Sequence, residues 1–381
     1  MGDILRISFY WCGVDFYNRL HNFRKNGISQ MKKLLAILVL TLTSLVHADY
    51  RFIVPQEPGA GTSVWTTIVT RELEKKLGEK IYIQHIPGAR DIPGPTKFQE
   101  ELRFDNKTVM VAHGGNAESF LLEKVTYNYK DWDPIGAMNI TIMVGRRTDS
   151  DVYKQVKFAA GSGNNPDMIA MTLLICGPMA DLKAYGACYK DKAKFINGMS
   201  APERRLAYMR GELNSMRETP AAYNKFFIPM KDNTNWFNEG ILDINTGKVV
   251  ADTNYDKELF FETVYKKKWG VAPKGDLFDA YMLVKNWRDV LQKSMWVNKG
   301  NPNADKLRAA LRAMMADPVA MAAIEKDNGK YEFLVGNDVN KAMTELDKLT
   351  TKKALKDLVW WSSMIFGIES YYKEDIARKA H

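Results

Sequence analysis

The chain has 381 residues, of which 46% are apolar and 26% charged, with a formal net charge of +9. That balance excludes disordered and fibrous classes, and basic and acidic residues alternate without a dense basic stripe, which argues against a nucleic-acid binder. The first 48 residues hold six Lys/Arg and two Asp/Glu, so the remainder carries +5, a mild excess suited to a small anion, on a length that predicts about two domains.

Residues 31–48 read as a secretory signal. Met31-Lys32-Lys33 is followed by an apolar run of 13 residues from Leu34 to Val46, and Val46-His47-Ala48 precedes Asp49 as a cleavage site. A membrane span needs about 20 apolar residues, so the run is too short for one; an N-terminal anchor or a buried helix is the alternative. Met31 opens this signal unaided, so 1–30 reads as an extension upstream of the true start. Cys12 within it lacks the pattern of a lipid-modified cysteine. A periplasmic location is expected.

Strands are expected at Arg51–Pro55, Ile81–Ile86 and Thr108–Ala112. Between the first two, Trp65, Ile68, Val69, Leu73 and Leu77 recur on one helical face. Strand, helix and strand with short loops predict a βαβ unit and a parallel sheet. The connecting loop contains Gly59-Ala60-Gly61-Thr62-Ser63, which brings backbone N–H groups to a helix N-terminus, where the dipole favours an anion. A second helix is expected from Pro95 to Leu102.

Further strands are expected at Ile140–Val144 and Val156–Ala160. Gly161-Ser162-Gly163-Asn164-Asn165 then leads into a helix from Pro166 with Asn165 as its N-cap, a second loop-to-helix anion geometry. Ser200 and Glu203 form a capping box opening a helix through Arg217. Lys231 to Asp256 reads as a polar loop or hairpin. Asn303 to Met315 is amphipathic, with another helix beyond Asp317-Pro318, and the tail from Lys348 reads as helical, with Leu358, Trp360, Trp361 and Ile365 available for packing.

Cys176 and Cys188 stand 12 residues apart. In an oxidising compartment they are expected to pair, although spacing alone does not fix their distance and two reduced thiols remain the alternative.

No catalytic constellation emerges. A dinucleotide fingerprint fails because Val64 replaces its third glycine, and Gln84-His85-Ile86-Pro87 lacks the expected acid. His85, His113 and His381 have no zinc-ligand spacing, and Ser63, Ser119 and Ser162 lie outside any G-x-S-x-G elbow. Glu100-Glu101 reads as a solvated helix face. His113 and Gly114, at a strand's C-terminal end, lie where open α/β sheets place ligands, and a solvated loop histidine is the equal alternative. No metal and no cofactor are expected.

Several segments in order resemble a known family: Pro55 to Ser63 with its Pro-Gly-Ala-Gly-Thr-Ser ending, Arg71 to Gly78, Ile81 to Ala89, Phe104 to Met110, Tyr129 to Ile135 and Ala316 to Val319. Together they resemble the periplasmic receptors of tripartite tricarboxylate transporters, the TctC or Bug-type solute-binding proteins, over roughly 50–225 and 285–340. The resemblance implies an α/β, two-lobed type II periplasmic binding protein fold with a ligand cleft between the lobes. Lobe one would take 49–139 and 291–381, lobe two 140–290, with hinges near 139–145 and 286–296. It implies a receptor and not an enzyme, capturing a small organic carboxylate for integral-membrane transporter subunits and acting as a monomer. An exported hydrolase and a ligand-presenting sensory receptor are the rival readings.

The resemblance further implies that Gly59 to Ser63 and the Pro87 to Gly94 loop, with Ala89, Arg90 and Asp91, clamp the carboxylate. Ser162 to Asn165 and the Asn197-Gly198-Met199 turn would face the same cleft. Ser63 stands where the family commonly has Asp, Thr67 where Arg is common, and Arg90 replaces part of a glycine-rich loop. Arg90 suits a carboxylate, or is a surface arginine paired with Asp91.

Overall fold

The computed structural model describes residues 49–160 and 166–366. β1 (Tyr50–Val54) is followed by α1 (Gly61–Leu77), β2 (Ile81–His85), α2 (Pro93–Glu100), β3 (Thr108–His113), α3 (Gly114–Leu122) and β4 (Trp132–Asn139). β1 pairs in parallel with both β2 and β3. Its Phe52, Ile53 and Val54 are all buried, as a strand covered on both faces requires, whereas β2 alternates and leaves Tyr82 outside. The expected apolar face of α1 is the buried one.

The chain then enters a second group of elements: β5 (Met143–Arg147), β6 (Val156–Ala160), α4 (Pro166–Cys176), α5 (Leu182–Lys192), β7 (Ala193–Asn197), α6 (Ala201–Met209), β8 (Ser215–Glu218), β9 (Asn233–Asn238), β10 (Ile241–Asp243), β11 (Lys248–Val250), α7 (Phe261–Trp269) and α8 (Asp276–Val290). β5 lies between β8 and β9 in an antiparallel sheet, β6 pairs in parallel with β7, and β10 with β11 forms a hairpin. It returns through β12 (Lys293–Asn298), α9 (Ala304–Met315), α10 (Pro318–Asn328), β13 (Glu332–Val335), α11 (Asn337–Leu349) and α12 (Lys352–Phe366). β12 and β13 complete the first sheet, ordered β13-β4-β12-β3-β1-β2. The described residues from Tyr50 onwards form one compact unit.

One strand had not been foreseen and three local expectations are corrected. β4 was hidden because Asp133-Pro134 breaks its pattern; the ladder shifts register between Met295 and Trp296, opposite Gly136 and Pro134, and an irregularity of that kind is where a sheet tolerates proline. Ile140 to Ile142 are a buried crossing, and the strand starts at Met143: Ile140 N–H bonds Asp289 O, and Ile142 O accepts from Glu239 N–H. The Ser200/Glu203 capping box forms, yet α6 stops at Met209. Gly211, at φ +77, turns the chain and 215–218 pairs with β5. Within 231–256 the Asn245-Thr246-Gly247 hairpin is present, but Asn233–Asn238 is a strand with Trp236 and Phe237 buried.

The two groups share one core around α8, whose Trp287 contacts Phe120 and Tyr129 and donates to Thr350 Oγ1 at 2.9 Å. Leu358 and Trp361 of α12 are buried and Trp360 is exposed. Cys176 and Cys188 form a disulfide between α4 and α5, with Cα atoms 6.1 Å apart.

Candidate ligand site

The Gly-rich loop is held from within. Gly59 turns at φ +83, Gly59 N–H donates to Ser63 Oγ at 3.3 Å, and Gln56 Oε1 accepts from Thr62 N–H at 3.2 Å. His85 Nδ1 lies 2.8 Å from Gln56 O, so the end of β2 braces the loop. Ala60 is the N-cap of α1 and supplies no side-chain cap. Gln56 therefore already takes one of the N–H groups of the helix start, and Ser63 serves the loop itself.

The neighbouring loop carries backbone strain. Arg90 and Asp91 adopt φ +53 and +59, a left-handed region that disfavours side chains. Asn116 Nδ2 donates to Asp91 O at 2.7 Å, and His113 Nε2 lies 2.8 Å from Asp91 Oδ2. His113 Nδ1 accepts from Gly115 N–H at 2.9 Å, which leaves Nε2 as the protonated nitrogen. Burial lowers the pKa of His113 most; Asp91 opposes this, and Lys293 and Arg288 add to it. The ring is neutral and buried, so the solvated-loop alternative does not describe it. Arg90 forms an ion pair with Glu123, not with Asp91. Ala89 lies on the exposed rim of this loop.

Against these loops the return strand brings Lys293. It stands opposite His113 in the β12–β3 ladder, and its Nζ donates to Thr62 Oγ1 at 3.0 Å. Burial first, then Arg217 and Arg288, push its ammonium down to about 7. Arg288, in the last turn of α8, pairs with Glu118 at 3.0 Å and with Asp167 Oδ2 at 3.1 Å. Arg217 on β8 reaches the same Asp167 oxygen at 2.8 Å, an ion pair without the alignment of a hydrogen bond, and its Nη2 has no hydrogen-bond partner among the described residues. Arg204 is buried too; desolvation, then Arg217, holds it down to about 10.

This constellation joins both groups of elements: Thr62, Asp91, His113, Glu118 and Lys293 come from the first sheet and its helices, Asp167, Arg217 and Arg288 from the second. Enclosed cations meeting at helix and strand ends suit an anion, since desolvation strengthens charge pairing. Of the residues the sequence pointed to, Thr62, Asp91 and His113 belong to it, and the rest of the Gly-rich loop adjoins it through Thr62. Gly114 packs under it, where a Cβ would meet Arg288 and Gln292. Gly198 is at the turn after β7, its N–H bonded to Ala160 O, the last residue of β6. Ser162, Gly163, Asn164 and Asn165 lie outside the described residues, as does the signal segment 31–48.

Sequence reasoning missed Lys293, Arg217 and Arg288. Arg288 left a signal, because it falls on the apolar stripe of Val284, Trp287 and Leu291, where an unpaired charge would be costly. Lys293, set before Ser294-Met295-Trp296-Val297, left a weaker one. Among the described residues no cluster of three or more His, Cys, Asp or Glu could hold a metal, and no helix is long and apolar enough to cross a membrane.

No protein-family model and no curated protein matches the sequence. Solved structures do match. Rpa4515 of R. palustris, solved with adipate, aligns over 81% of this chain and 97% of its own at 11% identity and a TM-score of 0.54. A TctC solute-binding protein from Polaromonas aligns over 84% and 98% at 16% identity and a TM-score of 0.48. MatC from Rhodopseudomonas palustris, solved with malate, aligns over 83% and 98% at 14% identity and a TM-score of 0.48. This chain and Rpa4515 thus share one α/β fold.

Proposed function

We propose that the chain is a solute-binding receptor that captures a small organic carboxylate in the periplasm and passes it to a tripartite tricarboxylate-type membrane transporter. Its lobes are 49–139 with 291–381, and 140–290, and they act as a monomer that closes over ligand about 139–145 and 286–296. The observation that carries this reading is the enclosed set of Lys293, Arg217 and Arg288 beside the Gly-rich loop. Such a group of cations suits a carboxylate. The sequence resemblance agrees, and a protein of the same fold holds adipate, a dicarboxylate.

A thermal-shift screen against mono-, di- and tricarboxylates tests it. A ligand that binds only the folded state raises the melting temperature by mass action. A saturable rise with one carboxylate class is expected; no rise with any acid, at concentrations up to the millimolar range, overturns the reading.

A further inference from the structure

The ammonium of Lys293 is enclosed with one hydroxyl partner, Thr62 Oγ1, and forms no ion pair with a described carboxylate. The groups facing it come from every packed element: Thr62 from α1, Asp91 from the loop after β2, His113 from β3, Arg288 from α8 and Arg217 from β8. The acids nearby are engaged elsewhere. Glu118 pairs with Arg288, Asp167 with both arginines, and Asp91 with His113. Two guanidinium groups therefore oppose a positive Lys293, Asp91 favours it without forming an ion pair, and no described carboxylate bonds to it.

An anion entering between Lys293 and Arg217 reverses that balance. We propose that Lys293 is the titrating anchor of this site, so that a carboxylate is taken up together with about one proton, which passes from solvent to the neutral amine. This rests on the carboxylate-receptor reading above. The receptor then carries anion and proton as a pair, and it discriminates by charge: a ligand without an anionic group has no means of holding the lysine protonated. His113 is not the acceptor of that proton. Its Nδ1 is occupied by Gly115 N–H and its Nε2 proton faces Asp91, so protonation would break the bond that caps α3.

The low value of the buried lysine, about 7, sets the window. Below it the amine is already charged and binding takes up little; above it each unit of pH weakens binding about tenfold, until the ligand-bound value is reached.

Calorimetry of the full chain with adipate, succinate and citrate as probes, from about pH 6 to pH 9 in HEPES and in Tris, tests this. The ionisation heats of the two buffers differ, so the difference in observed heat counts protons. Uptake near zero at about pH 6, rising towards one above about pH 8 as affinity falls, is expected. Lys293→Arg should bind without the pH slope; Lys293→Met should lose the slope and bind at least tenfold more weakly at about pH 6, with thermal melts confirming that both fold. Binding whose heat is independent of buffer, or a slope retained in Lys293→Met, overturns the proposal and leaves the receptor reading standing. No binding of any probe overturns both.

Discussion

Lys293 Nζ donates to Thr62 Oγ1 across 3.0 Å, so the returning strand β12 grips the first turn of α1 through a buried lysine. Thr62→Val keeps the shape and removes the acceptor. A neutral hydrogen bond is worth about 1 kcal/mol and one from a charged donor about 1.5–3 kcal/mol. The loss of stability in urea unfolding should therefore be larger at about pH 6 than at about pH 9; equal losses would count against a charged lysine at the lower pH.

Lys293 also leaves a signature in the stability of the unliganded protein. Its value in the fold is about 7, against about 10.4 for an ordinary lysine. Between those values the unfolded chain binds a proton that the folded chain does not. The contribution of this group to stability thus rises with pH across that window and is at its least favourable below about 7. Lys293→Met should flatten the slope and raise neutral-pH stability by on the order of 1–4 kcal/mol. Urea midpoints for both proteins between about pH 6 and pH 9.5 check it.

Asp167 holds two arginines with one oxygen, at 2.8 and 3.1 Å. Asp167→Asn leaves both guanidinium groups facing a neutral amide in an enclosed site. Breaking a buried pair in this way costs about 3–5 kcal/mol. A thermal melt that moves by less than the equivalent of about 1 kcal/mol would show that solvent reaches these arginines in solution.

Gly114 lies against the end of α8, where a Cβ would collide with Gln292 Oε1 and stand 2.5 Å from Arg288 Cγ and 2.9 Å from Arg288 O. Gly114→Ala should cost about 1–3 kcal/mol through overpacking and weaken carboxylate binding by displacing Arg288. Urea unfolding and calorimetry with adipate measure the two effects separately.

Cys176 and Cys188 close a short local loop. Removing the bridge should cost about 3 kcal/mol. Thiol titration of unfolded, non-reduced full chain should return Cys12 alone of the three cysteines, and all three after reduction. Three thiols before reduction would refute the pairing.

Much of the fold was legible because its signals are local. The apolar spacing of Trp65, Ile68, Val69, Leu73 and Leu77, the run at Phe52 to Val54 and the N-terminal signal of Asp317-Pro318 each act over a few residues, and the elements form there. Where a distant partner decides, the reading failed. Ser215–Glu218 follows a good capping box and reads as helix, yet it becomes a strand because Val144 and its neighbours offer a free edge. Trp132–Asn139 is interior although Pro134 argues against it, because a ladder irregularity absorbs the missing donor.

By itself the sequence determined the α/β order, the Gly-rich loop at the start of α1 and the likeness to solute-binding receptors. Only the tertiary structure decided which residues make the site's charge. Lys293, Arg217 and Arg288 are ordinary cations in the linear text; their chemistry comes from desolvation and from one another, and both sum over segments far apart in the chain. Periodicity and backbone preference are properties of neighbours in sequence, whereas the field at a buried ammonium is a property of neighbours in space.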